Sequence, residues 1–212
     1  MTTLHQYKGK LIVHTGSMFS GKTSSLEKDI KRFAIAGYNT IAFKPSVDTR
    51  YSDPKIVTHD NTALQAVLVD NIDDIVEFIN ENKPNVIAID EVQFLGGKIQ
   101  NIISSINNLL DQDITVIVAG LDMDFTGHAF EIVKELMPIA DYLYKHHAVC
   151  VKCGTDGWVS HRKTKDRERV VIGATKEYEP LCRSCFIQEK TIEDSIVNKN
   201  QVSFDQLDNI EE

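Results

Sequence analysis

The stretch Gly16-Ser17-Met18-Phe19-Ser20-Gly21-Lys22-Thr23 fits G-x-x-x-x-G-K-[ST], and few patterns restrict a fold more tightly. Such a loop works only between a buried strand and a helix. Its glycines let the backbone curl until several N–H groups point at one anion, and the helix N-terminus adds positive potential. The flanks agree. Leu11-Ile12-Val13-His14-Thr15 reads as a short strand, and the spacing from Ser24 to Ala36 predicts a helix. In that setting Lys22 reaches the β- and γ-phosphates, and the Thr23 hydroxyl holds Mg²⁺. A glycine turn that matches by accident is the competing reading, and it does not account for the strand–loop–helix order. The loop predicts binding of a nucleoside triphosphate.

The rest of the chain supplies the domain that such a loop needs. Leu11–Val13, Thr40–Phe43, Val86–Ile89 and Thr115–Ala119 are short, apolar and rich in β-branched residues, as expected of strands buried on both faces. Helical spacing recurs between them at Ser24–Ala36, Ile72–Glu81 and Ile99–Leu110, with Gly37 and Pro84 as stops. The alternation predicts an α/β fold: a P-loop NTPase-like parallel sheet with flanking helices, its ligands at the carboxyl ends of the strands. A small zinc-bound domain is expected to follow it. The expected division is 1–148 for the nucleotide-binding domain, 149–186 for the zinc-binding segment and 187–212 for an acidic, flexible tail.

Charge and hydropathy narrow the partners. The net charge is −8, and residues 189–212 carry seven acidic and two basic side chains, so the tail holds −5 of it. The remainder is near balance and offers no basic face for nucleic acid. No run approaches a membrane span, and the N-terminus lacks the build of a signal peptide, so no membrane and a cytoplasmic location are expected.

All four cysteines fall in two C-x₂-C pairs, Cys150/Cys153 and Cys182/Cys185, with 28 residues between the pairs. Each pair presents two sulfurs from one turn, and two such turns complete a closed tetrahedral Zn²⁺ site without an open position. Two disulfides are the alternative, disfavoured in a cytosolic chain. His146 and His147 are adjacent but surplus to a four-cysteine site.

The run Val86-Ile87-Ala88-Ile89-Asp90-Glu91 ends a strand in two acids. Asp90 has the position of an outer holder of Mg²⁺ in a phosphate-loop protein. Glu91 projects beyond it, where a carboxylate can take the proton of an attacking hydroxyl, or activate water in a hydrolase; a solvated loop glutamate is the alternative. Phe94 and Phe125 are by default core aromatics.

Several signals then converge. Gly16–Thr23, Lys44-Pro45 with Asp48-Thr49-Arg50-Tyr51, Thr58-His59-Asp60, Asp90-Glu91-Val92-Gln93-Phe94, Gly120-Leu121-Asp122-Met123-Asp124-Phe125 and Cys182-Arg183-Ser184-Cys185 follow in one order. In that order the chain resembles the zinc-containing, tetrameric thymidine kinases of cytosolic, bacterial and viral type over roughly residues 10–186. The resemblance implies transfer of phosphate from ATP to the 5′-hydroxyl of thymidine in pyrimidine deoxynucleotide salvage, with deoxyuridine as a secondary substrate. It implies a homotetramer and end-product inhibition by dTTP. It further implies Glu91 as general base, and a nucleotide and metal flanked by Asp48, Thr49, Arg50 and by Asp90, Glu91, Val92, Gln93. A lasso between the zinc cysteines closes over the nucleoside. Arg169, Val170, Val171, Ile172 and Gly173 would hold the base through the main chain, with Tyr178 above, Phe125 opposite, Phe94 nearby, and Met18 and Leu121 at the thymine methyl.

The chain departs from the family pattern at Ala174, at Gly127-His128-Ala129-Phe130-Glu131, and at Trp158, whose ring either borders the nucleoside or packs the lasso on the core. A zinc-ribbon ATPase that binds nucleic acid is the alternative function, and the acidic balance argues against it.

Overall fold

The computed structural model describes residues 8–46, 55–57, 63–164 and 177–191, with the backbone alone at 55–57 and 63–65. Along the chain come β1 (Leu11–Gly16), α1 (Lys22–Ile35), β2 (Thr40–Pro45), β3 (Lys55–Val57), β4 (Ala63–Gln65), β5 (Val67–Val69), α2 (Ile72–Asn82) and β6 (Val86–Ile89). Then follow α3 (Ile99–Asp111), β7 (Thr115–Gly120), α4 (Glu131–Leu136), β8 (Tyr142–His146), β9 (Ala148–Val149), β10 (Asp156–Gly157), β11 (Val159–Arg162) and β12 (Tyr178–Leu181). Residues 183–191 form a further helix, α5.

Six strands pair in the order β5-β2-β6-β7-β1-β8, every pair parallel. The four strands legible as apolar runs are the central ones. Their side chains alternate between faces, and both faces are covered, which is why apolar residues dominate them and the polar His14, Thr15, Lys44 and Thr115 are themselves buried. Leu11, Val13, Phe43, Ile87, Ile89, Val116 and Val118 meet Ile75, Ile79, Ile102, Ile106 and Leu136 of α2, α3 and α4. Ile12, Ala42, Ala88, Ile117 and Ala119 turn the other way, where small side chains leave room for Leu26, Ile30 and Phe33 of α1. The edge strands β5 and β8 were not legible. β8 is exposed along most of its length, so its sequence YLYKH carries no buried-strand signature.

Because all six strands run the same way, the loops after β1, β2, β6 and β7 emerge along one edge. Beside it lies a small unit in which β9 pairs with β10 and β11 with β12. Among the described residues its apolar centre is Cys150, Val159, Leu181 and Phe186, with Trp158, Cys182 and Cys185 packed against it. A centre this small calls for a covalent or metal staple. The helix α5 runs through the expected boundary at 186, so residues 187–191 are helical, and 192–212 lie outside the described residues.

Candidate functional site

Two helices show how the phosphate loop differs from an ordinary turn. The N-terminus of α2 is closed by its own side chains: Asn71 accepts from the backbone of Asp73 and Asp74, and Asp74 answers in a capping box. The N-terminus of α1 follows Gly21, left-handed at φ 83°, with no side-chain cap and no acid in the first turn. The helix brings no capping side chain of its own to its first N–H groups, a condition for an anion site. The Ser17 hydroxyl is also buried, without a hydrogen-bond partner among the described residues. Lys22, itself buried, folds back with its Nζ donating to the Ser17 carbonyl at 2.8 Å. Gly16 is needed for a reason the motif does not reveal. Its φ is 134°, and a Cβ there would fall 2.1 Å from the carbonyl oxygen of His146 on the neighbouring strand.

The hydroxyl of Thr23 donates to Asp90, 3.2 and 3.3 Å from its two oxygens, so the end of β6 meets the start of α1. Burial, and after it the charge of Glu91, raise the Asp90 carboxyl to about 7, against the opposing pull of Lys44 and Lys22. Lys44, at the end of β2, is almost fully buried and is a charged neighbour of this site; the sequence resemblance includes it in the Lys44-Pro45 stretch but gives it no role. An unfolded aspartate releases its proton near 3.9, whereas the folded one holds it to about 7. Between those values the folded state binds more protons, so the Asp90 contribution to stability is present below about pH 4 and lost as pH rises to about 7. Asp90→Asn is therefore expected to be more stable than the parent at pH 8 in magnesium-free buffer, on the order of 2–4 kcal/mol, and similar to it near pH 4. Urea unfolding at the two pH values measures this; equal midpoints at pH 8 would contradict it.

Glu91 adopts φ 50°, ψ 42°, left-handed for a non-glycine residue. A single 3₁₀ turn, Val92–Phe94, follows it. The Gln93 side chain joins Glu91 to the end of β7: its Nε2 donates to Glu91 Oε2 at 2.5 Å, and its Oε1 accepts from the backbone N–H of Leu121 at 3.0 Å. Phe94 is half-buried, edge-on to Phe130 with ring centres 6.4 Å apart.

β11 brings the small unit onto this edge. Ser160 accepts from the Met18 N–H of the phosphate loop at 2.8 Å. Two residues on, and so on the same face of the strand, the buried Arg162 guanidinium lies 3.8 Å over the Phe125 ring and donates to the Tyr178 hydroxyl at 2.6 Å. Met18, Phe125 and Tyr178 are thus joined through Ser160 and Arg162, neither of which sequence reasoning selected. Buried Ser and Arg within a lasso were the available signal, but burial is not readable from a short mixed strand. Asp48, Thr49 and Arg50, together with Arg169, Val170, Val171, Ile172, Gly173 and Ala174, lie outside the described residues. Trp158 takes the packing alternative: its ring is 5.9 Å from Phe186, with Arg183 stacked 3.8 Å above it.

The sulfurs of Cys150, Cys153, Cys182 and Cys185 all lie within 4.8 Å of one another, and those of Cys153 and Cys182 are 3.6 Å apart. A tetrahedron with Zn–S bonds of about 2.3 Å has edges of about 3.8 Å, so the group has the size of a zinc site. The Cys185 N–H lowers the Cys182 thiol to about 6, while the hydrogen bond to that sulfur pushes Cys185 up to about 12. Four crowded sulfurs cannot all ionise without a cation between them, and Zn²⁺ fits that chemistry. His146 and His147 stand outside the group; His146 instead meets His14, which in turn meets Asp29. His14, His146 and Asp29 line a cavity of about 460 Å³ between α1 and β8 that touches no residue of the phosphate loop.

A family model described as thymidine kinase matches residues 9–186. A protein of Bacteroides thetaiotaomicron named thymidine kinase is 42% identical over 183 residues, 86% of this chain and 89% of its own. One of Bacteroides fragilis with the same name is 42% identical over 179 residues, 84% of this chain and 87% of its own. Another from Porphyromonas gingivalis is 38% identical, covering 84% and 85%.

Proposed function

This chain belongs to the thymidine kinase family, and from that premise we propose that it transfers the γ-phosphoryl group of ATP to the 5′-hydroxyl of thymidine, giving dTMP and ADP. One observation supports this most: the end of β6 puts Asp90 against Thr23 of the phosphate loop and holds Glu91, the next residue, by a second tie to β7. Thr23 and Asp90 would hold Mg²⁺. An ion held there would supply neutralisation of the phosphate charge that develops during transfer. The bare N-terminus of α1 and the Ser17 hydroxyl receive phosphate oxygens, and Lys22 swings from the Ser17 carbonyl to the γ-phosphate. Glu91 accepts the 5′-hydroxyl proton as the oxygen attacks. Asp48, Thr49 and Arg50 flank the phosphates in this reading.

Phe125, Tyr178 and the segment 169–173 enclose the base, with Met18 and Leu121 beside the thymine methyl. Zn²⁺ on the four cysteines holds the enclosing segment at its root. Deoxyuridine lacks that methyl, which in an apolar pocket is worth about 1–3 kcal/mol, so its kcat/KM should be about 10–200-fold lower. Salvage of deoxynucleosides, inhibition by dTTP and a cytoplasmic location complete the reading. So does a homotetramer, to which β8 is suited: it ends the sheet with Tyr142, Leu143 and Tyr144 exposed on an unpaired edge.

A nucleoside panel with MgATP, scored for monophosphate, tests the proposal. Thymidine is expected first and deoxyuridine second. A purine nucleoside as the best substrate, or ATP hydrolysis without nucleoside product, would overturn it.

A further inference from the structure

We infer that Gln93 is a positioning residue: its amide clamps the Glu91 carboxylate to the end of β7 and so holds the proposed base ready for the attacking hydroxyl. The inference rests on the reading of Glu91 as that base. The backbone around Glu91 is already committed. Its left-handed conformation is unfavourable for a residue with a side chain, and the turn behind it keeps it there. Phe94 N–H donates to the Glu91 carbonyl and Leu95 N–H to that of Val92, while the Val92 side chain is fully buried. What the backbone leaves undetermined is the direction of a side chain with three rotatable bonds, and Gln93 supplies it.

The polarity of the clamp follows from chemistry. The Leu121 N–H can only donate, so the oxygen of the Gln93 amide must face it, and the NH₂ must then face Glu91. The contact to Glu91 is thus an amide N–H donated to a carboxyl oxygen at 2.5 Å. The strand end is shaped to admit it. A Cβ on Gly120 would fall 2.8 Å from Val92 Cγ1 and 2.9 Å from Gln93 Oε1, so any side chain there would push the amide from its place. Gly120 and the Leu121 N–H thus fix the amide oxygen of Gln93, and its NH₂ is left facing one oxygen of Glu91. A residue in direct contact with nucleotide or metal would not need its amide occupied at both ends by protein.

The test uses the full-length, zinc-loaded enzyme and two variants. Gln93→Met keeps the length of the side chain and removes both hydrogen bonds. Gln93→Glu still accepts from Leu121 N–H, so its fold is protected, but its ionised group repels Glu91 instead of donating to it. Both are expected to lower kcat by about 10–100-fold, the scale of a catalytic group displaced by about an ångström, with KM for thymidine and MgATP changed by less than about twofold. On a Glu91→Gln background neither should lower kcat further, because a positioning residue has no effect without the group it positions. Near-normal kcat in either Gln93 variant overturns the inference alone. So does a raised KM for MgATP with kcat retained, which would mark Gln93 as a nucleotide contact. An additional loss on the Glu91→Gln background overturns it too. Near-normal kcat in Glu91→Gln by itself removes the base, and the clamp with it.

Discussion

Replacing Glu91 with glutamine should lower kcat by about 10²–10⁴ while leaving MgATP binding intact. Glutamine preserves the length and the acceptor oxygen, so Gln93 can still donate to position 91 and the turn Val92–Phe94 is undisturbed. Only the capacity to take a proton is lost. The loss should fall on kcat and kcat/KM alike, since the proton moves in the transition state and not in the ground state. Steady-state kinetics with thymidine, together with direct measurement of nucleotide affinity, separates the two terms. Turnover within a few-fold of the parent would remove Glu91 from the mechanism.

Zinc removal should be comparably severe, but should act on the nucleoside side. Among the described residues the unit holding β9 to β12 has an apolar centre of Cys150, Val159, Leu181 and Phe186, so a metal on the four cysteines is expected to contribute much of its stability. Structural zinc contributes about 10–16 kcal/mol in small domains at neutral pH, far more than such a centre can supply. Trp158 is the only tryptophan and stacks between Arg183 and Phe186 inside this unit, which makes its emission a local reporter. Chelation, or Cys182→Ser, is expected to shift that emission to longer wavelength. The same change should raise KM for thymidine about tenfold or more, through release of Ser160 and Arg162 from Met18, Phe125 and Tyr178. KM for MgATP should move less, because the loop and α1 are supported by the parallel sheet. One zinc per chain is expected. Protein purified under reducing conditions without zinc, or a chelated enzyme with unchanged emission and KM, would refute the assignment.

The readable parts of this protein share one property: their chemistry lies within a few consecutive residues. Gly16–Thr23, Asp90-Glu91 and the two C-x₂-C pairs each need a local backbone path, and a local path is written in neighbouring residues. The central strands were readable because burial on both faces makes them mostly apolar, whereas β5 and β8 escaped because an edge strand has no such requirement. Trp158 stayed ambiguous for the same reason as the edges, since nothing local decides which surface a large exposed-loop ring will meet.

By itself, then, the sequence determined the order of strand and helix, the glycine-rich loop between β1 and α1, the acids at the end of β6 and the two cysteine pairs that come together in the fold. Tertiary structure alone decided how these act on one another. Gly16 must be glycine because the His146 carbonyl at the end of β8 crowds it. Asp90 holds its proton to about 7 because folding buries it beside Glu91. Gln93 meets Leu121 across 28 residues, Thr23 meets Asp90 across 67, and Met18 meets Ser160 across 142. Hydrogen bonds and desolvation act over a few ångströms of space, and no local pattern records which distant residues the sheet will bring within that range.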